Sequence, residues 1–202
     1  MTSADTRTDL HTALDRGLAD DLAGLRAALA ADAERSGLLD VGYDIVDTPI
    51  GALLVAATGQ GVVRVAFARE DHDQVLAELA ATIGPRILRA PAAVAVAAGQ
   101  LDEYLRGRRH GFDLPLDLRV SGFRQQVLTA LRGIGYGATR SYAEIAAVTG
   151  SPRAVRAVGT ACARNPLPLL IPCHRVVRAD GSPGSYLGGA EVKRALLALE
   201  AA

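Results

Sequence analysis

An α/β fold in two parts is predicted. A strand-rich N-terminal domain, with a three-stranded antiparallel sheet and helices, precedes a helical, winged-helix-like C-terminal domain containing a helix-turn-helix. Three observations carry this prediction. Short β-rich runs separated by glycine turns fill the stretch from Val41 to Phe67, helical spacing dominates beyond Arg119, and half of the 202 residues are apolar, enough for a sizeable core. The expected boundaries are 1–38 for an acidic helical or partly disordered extension, 41–117 for the N-terminal α/β domain, and 119–202 for the C-terminal domain.

In the extension, LHTALDRGLADDLAGLRAALAADAERSG places leucines at 10, 14, 18, 22, 25 and 29, a helical stripe that stops near Gly37. Strands follow. VGYDIVDTPIGALLVAATGQGVVRVAF holds three β-rich runs, and Pro49-Ile50-Gly51 and Gly59-Gln60-Gly61 supply the turns of a meander. Helical patterns cover about 71–83 and 92–106, and GFDLPLDL reads as extended. Nothing in this half carries an evident catalytic pattern.

Beyond it, Ser121 precedes FRQQVLTALRGI, whose apolar residues at 123, 127, 128 and 131 share one face. In SYAEIAAVTG, Ser141 and Glu144 stand three apart as a capping box, with Gly150 a natural stop. Ser151 and Pro152 then offer an N-cap and a first-turn proline to PRAVRAVGTACAR. Two short helices joined by a tight turn, the second carrying Arg153, Arg156 and Arg164, form the expected helix-turn-helix.

Charge is balanced overall but unevenly placed. Arg119 to Arg178 contains nine arginines and one acid, whereas Met1 to Asp40 contains eight acids and four arginines. An anionic partner for the C-terminal half is the implication. With two cysteines, Cys162 and Cys173, no CxxC and four histidines, neither a disulfide framework nor a structural metal site is expected, and the natural home is a reducing compartment. No signal-peptide core and no run of about 18 apolar residues occurs, so a soluble, cytoplasmic protein without membrane association is expected. GSYLGG fits neither GxxxxGK[ST] nor GxGxxG, and no cofactor is expected.

The chemistry-bearing stretch is NPLPLLIPCHRVVR, Asn165 to Arg178. A cysteine reacts as thiolate, and a histidine able to take its proton, with positive charge nearby, makes thiolate accessible. For the Cys173-His174 pair alone, a packed cysteine beside a satisfied histidine is the better reading, because consecutive side chains often diverge. Context decides. NPLPLLIPCHRVV, preceded by FRQQVLTALRGIGYGATRSYAEIAAVTGSPRAVRAVGTACAR and followed by GSYLGGAEVKRALLALE, resembles the O6-alkylguanine-DNA alkyltransferases (methylated-DNA–protein-cysteine methyltransferases) over about 80 residues without a gap. TPIGALLVAAT resembles that family's N-terminal domain more loosely.

The resemblance implies direct, irreversible transfer of an alkyl group from O6 of guanine in duplex DNA to the protein's own cysteine, once per molecule. It makes Cys173 the nucleophile and acceptor, with His174 taking the proton through a water and Glu200 holding His174. Tyr142 matches the position that donates toward N3 of the base, and Asn165 the hinge that ties the helix-turn-helix to the cysteine loop. Arg156 matches the arginine that replaces the flipped base in the stack. Ser141, Arg153, Arg164 and Arg175 are placed with it on the DNA-binding side. Pro172, Tyr186, Leu187, Gly188 and Gly189 match substrate-pocket and loop positions.

Departures from the family pattern fall at Leu128, Gly135 and Arg124 on scaffold elements, and at Leu187 beside the pocket, where a small or polar residue is common. The implied partner is double-stranded DNA carrying O6-alkylguanine, bound by a monomer without metal or diffusible cofactor. Two rivals remain: a non-catalytic binder of alkylated DNA, and a helix-turn-helix transcription regulator. Cys173 counts against the first, and PCHRVV with Glu200 is idle in the second.

Overall fold

The computed structural model describes residues 21–22, 24–26, 28–33 and 35–202. The expected leucine stripe lies partly outside these, at 10, 14 and 18. Of its remainder, Leu22, Leu25 and Leu29 sit on a helical stretch with their side chains exposed, and the neighbouring Ala30 is buried.

Four strands, not three, make the N-terminal sheet. β1 (Val41–Val46), β2 (Leu53–Thr58) and β3 (Gly61–Phe67) form the expected antiparallel meander. β4 (Ile87–Arg89) adds to the edge parallel to β1, giving the order β3-β2-β1-β4. Between Pro85 and Pro91 only three residues pair, too short a run to show alternation in the sequence. Helix α1 (His72–Thr82) makes the crossover that a parallel pairing requires.

Central β2 is buried along nearly its whole length because both faces of the sheet are covered. Leu54, Ala56 and Val63 pack with Val75 and Leu79 of α1 on one side. Leu53, Val55 and Phe67 pack on the other against α2 (Pro91–Leu105) and the C-terminal core. A bulge reconciles β3 with this arrangement. Val62 pairs with Ala57 and Arg64 with Ala56, leaving Val63 as the extra residue and turning it to the α1 side.

The C-terminal part is helical: α3 (Gly122–Arg132), α4 (Tyr142–Val148), α5 (Val155–Ala163) and α6 (Ala190–Glu200). The capping box at Ser141 and Glu144 forms reciprocally and starts α4. α5 begins later than its sequence suggests. Ser151 and Pro152 belong to a turn, closed by the Ala154 amide donating to the Ser151 carbonyl at 2.8 Å, so Arg153 lies in that turn and not on the helix. Val158, Ala161 and Cys162 form the buried face of α5.

One short pairing positions the site. β5 (Arg140–Ser141) runs parallel to β6 (Val176–Val177), setting the start of α4 beside the segment that follows Cys173. Among the described residues no helix is long and apolar enough to cross a membrane.

Candidate active site

The loop from Asn165 to Pro172 is fastened from within. Asn165, fully buried, accepts from the Leu167 amide at 3.0 Å through Oδ1. Its Nδ2 donates to the Ile171 carbonyl at 2.8 Å and reaches Cys173 Sγ at 3.1 Å. One amide group therefore fixes both ends of the loop and touches the sulfur. Leu169, inside the loop, takes a left-handed φ of 73°, a conformation that non-glycine residues hold only when their surroundings over-determine it.

Cys173, His174 and Arg175 then form a single turn of 3₁₀ helix, all three buried. His174 Nε2 lies 2.7 Å from Glu200 Oε1. Glu200 reaches it from the last turn of α6, whose buried face carries Lys193, Leu196 and Glu200 at helical spacing. Arg175 Nε donates to Glu200 Oε2 at 2.8 Å and its Nη2 to Oε1 at 3.0 Å, while its Nη1 donates to the Ile134 carbonyl at 2.5 Å. The Gly137 amide donates to Oε2 at 3.1 Å. With the carboxylate as its nearest acceptor, Nε2 carries the imidazole proton and leaves the Nδ1 lone pair free. Nδ1 is buried and has no protein hydrogen-bond partner among the described residues.

Electrostatics follow from this burial. Removal from water pushes the Cys173 thiol up to about 11, only partly offset by the Asn165 hydrogen bond and the Lys193 charge. Burial likewise lowers the His174 imidazole below its ordinary value, with Glu200 pulling the other way. Burial would raise the Glu200 carboxyl, yet hydrogen bonds from His174 and Arg175 hold it down at about 2. At neutral pH the resting arrangement is thiol, neutral imidazole and carboxylate.

Tyr142 opens α4 with its hydroxyl pressed against Gly184, where an added Cβ would meet it at 2.6 Å. The Tyr186 ring stands edge-on to His174 at 6.2 Å and to Phe67 at 5.5 Å between centroids. Gly188 packs on Phe67 and Gly189 on Arg69, so the end of β3 and the turn that follows it support the glycine loop. Leu187 is half-buried against the core. Pro172 is buried and lines a cavity of about 290 Å³, with His110, Tyr136 and Arg175 among its walls.

On the outer side Arg153, Arg156 and Arg164 are exposed, Arg156 near the start of α5 and Arg164 at its C-cap. Ser141 is occupied as the N-cap of α4. Arg175 departs from expectation: it is buried and spent on Glu200 and Ile134, so it cannot serve as a surface cation.

Three participants escape sequence reasoning. Tyr104 of α2 donates its hydroxyl to Glu200 Oε1 and lies 3.2 Å from His174 Nε2. Nothing in LDEYL announces this. Gly137 sits where backbone approaches Glu200, and its positive φ and tight contact with the Glu200 carbonyl were the available signal only in three dimensions. Lys193 is fully buried, donates to the Val176 carbonyl at 2.5 Å and lies over the Tyr142 ring at 6.0 Å. A legible clue existed for it, since the chain otherwise uses arginine and Lys193 is its single lysine.

A buried thiol, imidazole and carboxylate behind an arginine-bearing helix define a family, and the chain belongs to it: the 6-O-methylguanine DNA methyltransferases. The family's DNA binding domain matches residues 122–202 and its ribonuclease-like domain residues 41–118. The constitutive methylated-DNA–protein-cysteine methyltransferase of Bacillus subtilis is 40% identical over 159 residues, 78% of this chain and 94% of that protein. The Mycobacterium tuberculosis methylated-DNA–protein-cysteine methyltransferase is 40% identical over 158 residues, 78% of this chain and 91% of its own. The crystal structure of M. tuberculosis OGT in complex with DNA superposes with a TM-score of 0.70 at 40% identity, covering 79% of this chain and 92% of that one.

Proposed function

We propose that the protein repairs O6-alkylguanine in duplex DNA by moving the alkyl group to Cys173, once per molecule. The observation that carries this reading is the buried series Asn165, Cys173, His174 and Glu200: Asn165 reaches Cys173 Sγ, His174 follows Cys173 on one 3₁₀ turn, and His174 Nε2 meets Glu200 Oε1.

The Cys173 thiol gives its proton to His174 Nδ1, through a bridging water, and Glu200 stabilises the imidazolium that results. The thiolate attacks the alkyl carbon, the C–S bond forms, and the C–O bond breaks with its electron pair going to O6 of the base. Tyr142 hydrogen-bonds to N3 as that charge develops and keeps its proton, and the proton taken from the thiol passes from His174 to the departing guanine, which restores the neutral imidazole. A thioether has no facile leaving group, so the protein is consumed.

A stacked base cannot present its O6 substituent to a buried sulfur. Flipping costs a few kcal/mol. We assign α4 and α5 to a helix-turn-helix in which α5 enters the minor groove and Arg156 fills the gap in the stack. Arg153 and Arg164 support it from the turn and the C-cap, and Ser141 acts through the cap. Asn165 couples this unit to the cysteine loop, and Tyr186, Leu187, Gly188 and Gly189 border the base. We place the division between the two domains near residue 118, and expect a cytoplasmic monomer that needs no obligate protein partner. M. tuberculosis OGT has been crystallised with DNA, which supports the DNA assignment.

Cys173→Ala tests the reading. It should bind duplex DNA as the parent does and transfer nothing, while the parent stops after one lesion per molecule. Methyl transfer by that variant would move the chemistry to Cys162 and sink the assignment.

A further inference from the structure

Tyr104 stands on α2, in the half of the chain whose sequence holds no catalytic pattern, and it is fully buried. Its ring is held on two sides, by Phe112 at 5.0 Å and by Tyr136 edge-on at 6.1 Å between centroids. A phenol has one proton to give. Here it goes to Glu200 Oε1, the same oxygen that receives His174 Nε2 at 2.7 Å and Arg175 Nη2 at 3.0 Å. Oε2 is occupied by Arg175 Nε and the Gly137 amide.

We propose that Tyr104 is a positioning residue for alkyl transfer, its hydroxyl sharing Glu200 Oε1 with His174 and so setting the basicity of the imidazole and the orientation of the carboxylate. Each donor on a carboxylate oxygen takes up part of its charge, which leaves less to stabilise an imidazolium. The N-terminal half is thereby part of the reacting centre. The inference rests on Cys173 as acceptor and His174 as its base.

Several groups face His174: Glu200 and Lys193 from α6, Tyr104 from α2, Cys173 and Arg175 from its own turn, and Tyr186 from the glycine loop. Tyr104→Phe removes one oxygen and changes no formal charge. The phenol is far above its ordinary titration range, first through burial and then through Glu200, so it stays a neutral donor throughout.

The experiment uses the full chain with ring-labelled histidine, following the His174 nitrogen shifts against pH. Single-turnover transfer from an O6-methylguanine duplex is followed over the same range. In Tyr104→Phe the His174 midpoint and the acid limb of the rate should both move up by about half to one pH unit. The plateau rate should fall about two- to fivefold. A lower plateau with the midpoint and acid limb unmoved would reduce Tyr104 to packing and overturn the proposal. Replacing Tyr104 by 3-fluorotyrosine, a stronger donor that keeps ring and hydroxyl, should move the midpoint down and serves if the phenylalanine variant fails to fold. A parent protein that leaves Cys173 unalkylated would sink the functional reading and this role together. An unmoved midpoint in a protein that does alkylate Cys173 would overturn the role of Tyr104 alone.

Discussion

Arg156 is exposed near the start of α5, whereas Cys173 is buried in the turn behind it, and the two residues answer different physical problems. The sulfur must be kept from water until a base arrives. On the proposed reading the guanidinium is the group that replaces that base in the stack. Arg156→Ala should therefore slow repair of duplex DNA about tenfold to a hundredfold at saturating protein, since it removes a contribution to a flipping cost of a few kcal/mol. Reaction with free O6-alkylated guanine should change less than about threefold, because free base needs no unstacking. Single-turnover kinetics on the two substrates separate this from a phosphate contact, which would instead weaken binding to any duplex and lower the salt slope by about one unit. Equal losses on both substrates would refute the intercalating role.

Elements carry the residues to their places, and β3 shows how narrowly. Gly61 opens β3 at φ +138°, with the Pro115 carbonyl oxygen 2.3 Å from where a Cβ would stand. That close approach lets the Val62 amide donate to Pro115 at 2.9 Å and ties the sheet to the extended segment that leads into the C-terminal part. Gly61→Ala adds both strain and a backbone clash, and should cost about 2–4 kcal/mol in urea unfolding. A loss below about 0.5 kcal/mol would show that this junction is slack. The meander, both N-terminal helices and the α4 cap were legible because glycine turns and helical spacing are local signals. β4 was not, since three residues cannot show a period, and its place depends on what α1 brings alongside. The start of α5 was misread for a related reason: Ser151 and Pro152 suit a helix N-terminus and a turn equally well, and tertiary packing chose the turn. Cys173, His174 and Glu200 could be named through the resemblance of their surroundings. Tyr104 could not, because its partners lie 70 and 96 residues away.

At the scale of the molecule, a charged carboxylate and a neutral imidazole share one interior between the two halves. His174 titrates below its ordinary 6.5 when folded, so as pH falls past that value the unfolded chain takes the proton first and stability declines. Glu200, held at about 2 against an ordinary 4.5, adds a second loss that begins near 4.5 and is complete only below about 2. Both groups act in the same direction, and stability should fall in two stages on acidification. Urea unfolding from pH 7 to pH 3 should show this for the parent, while Glu200→Gln should lose less stability over the lower stage, where Asp40, Asp117, Glu144 and Asp180, also held below their ordinary values, still contribute. A parent curve that is flat between pH 6 and 4 would contradict the buried arrangement.

The central claim is that Cys173 itself receives the alkyl group. Its most direct test is intact-protein mass spectrometry after incubation with a duplex carrying one O6-methylguanine, followed by peptide mapping. The account predicts a gain of one methylene equivalent per molecule, located on Cys173, with the DNA left carrying guanine. Loss of the methyl group from DNA with the protein mass unchanged, or a modification mapped to Cys162, would contradict it.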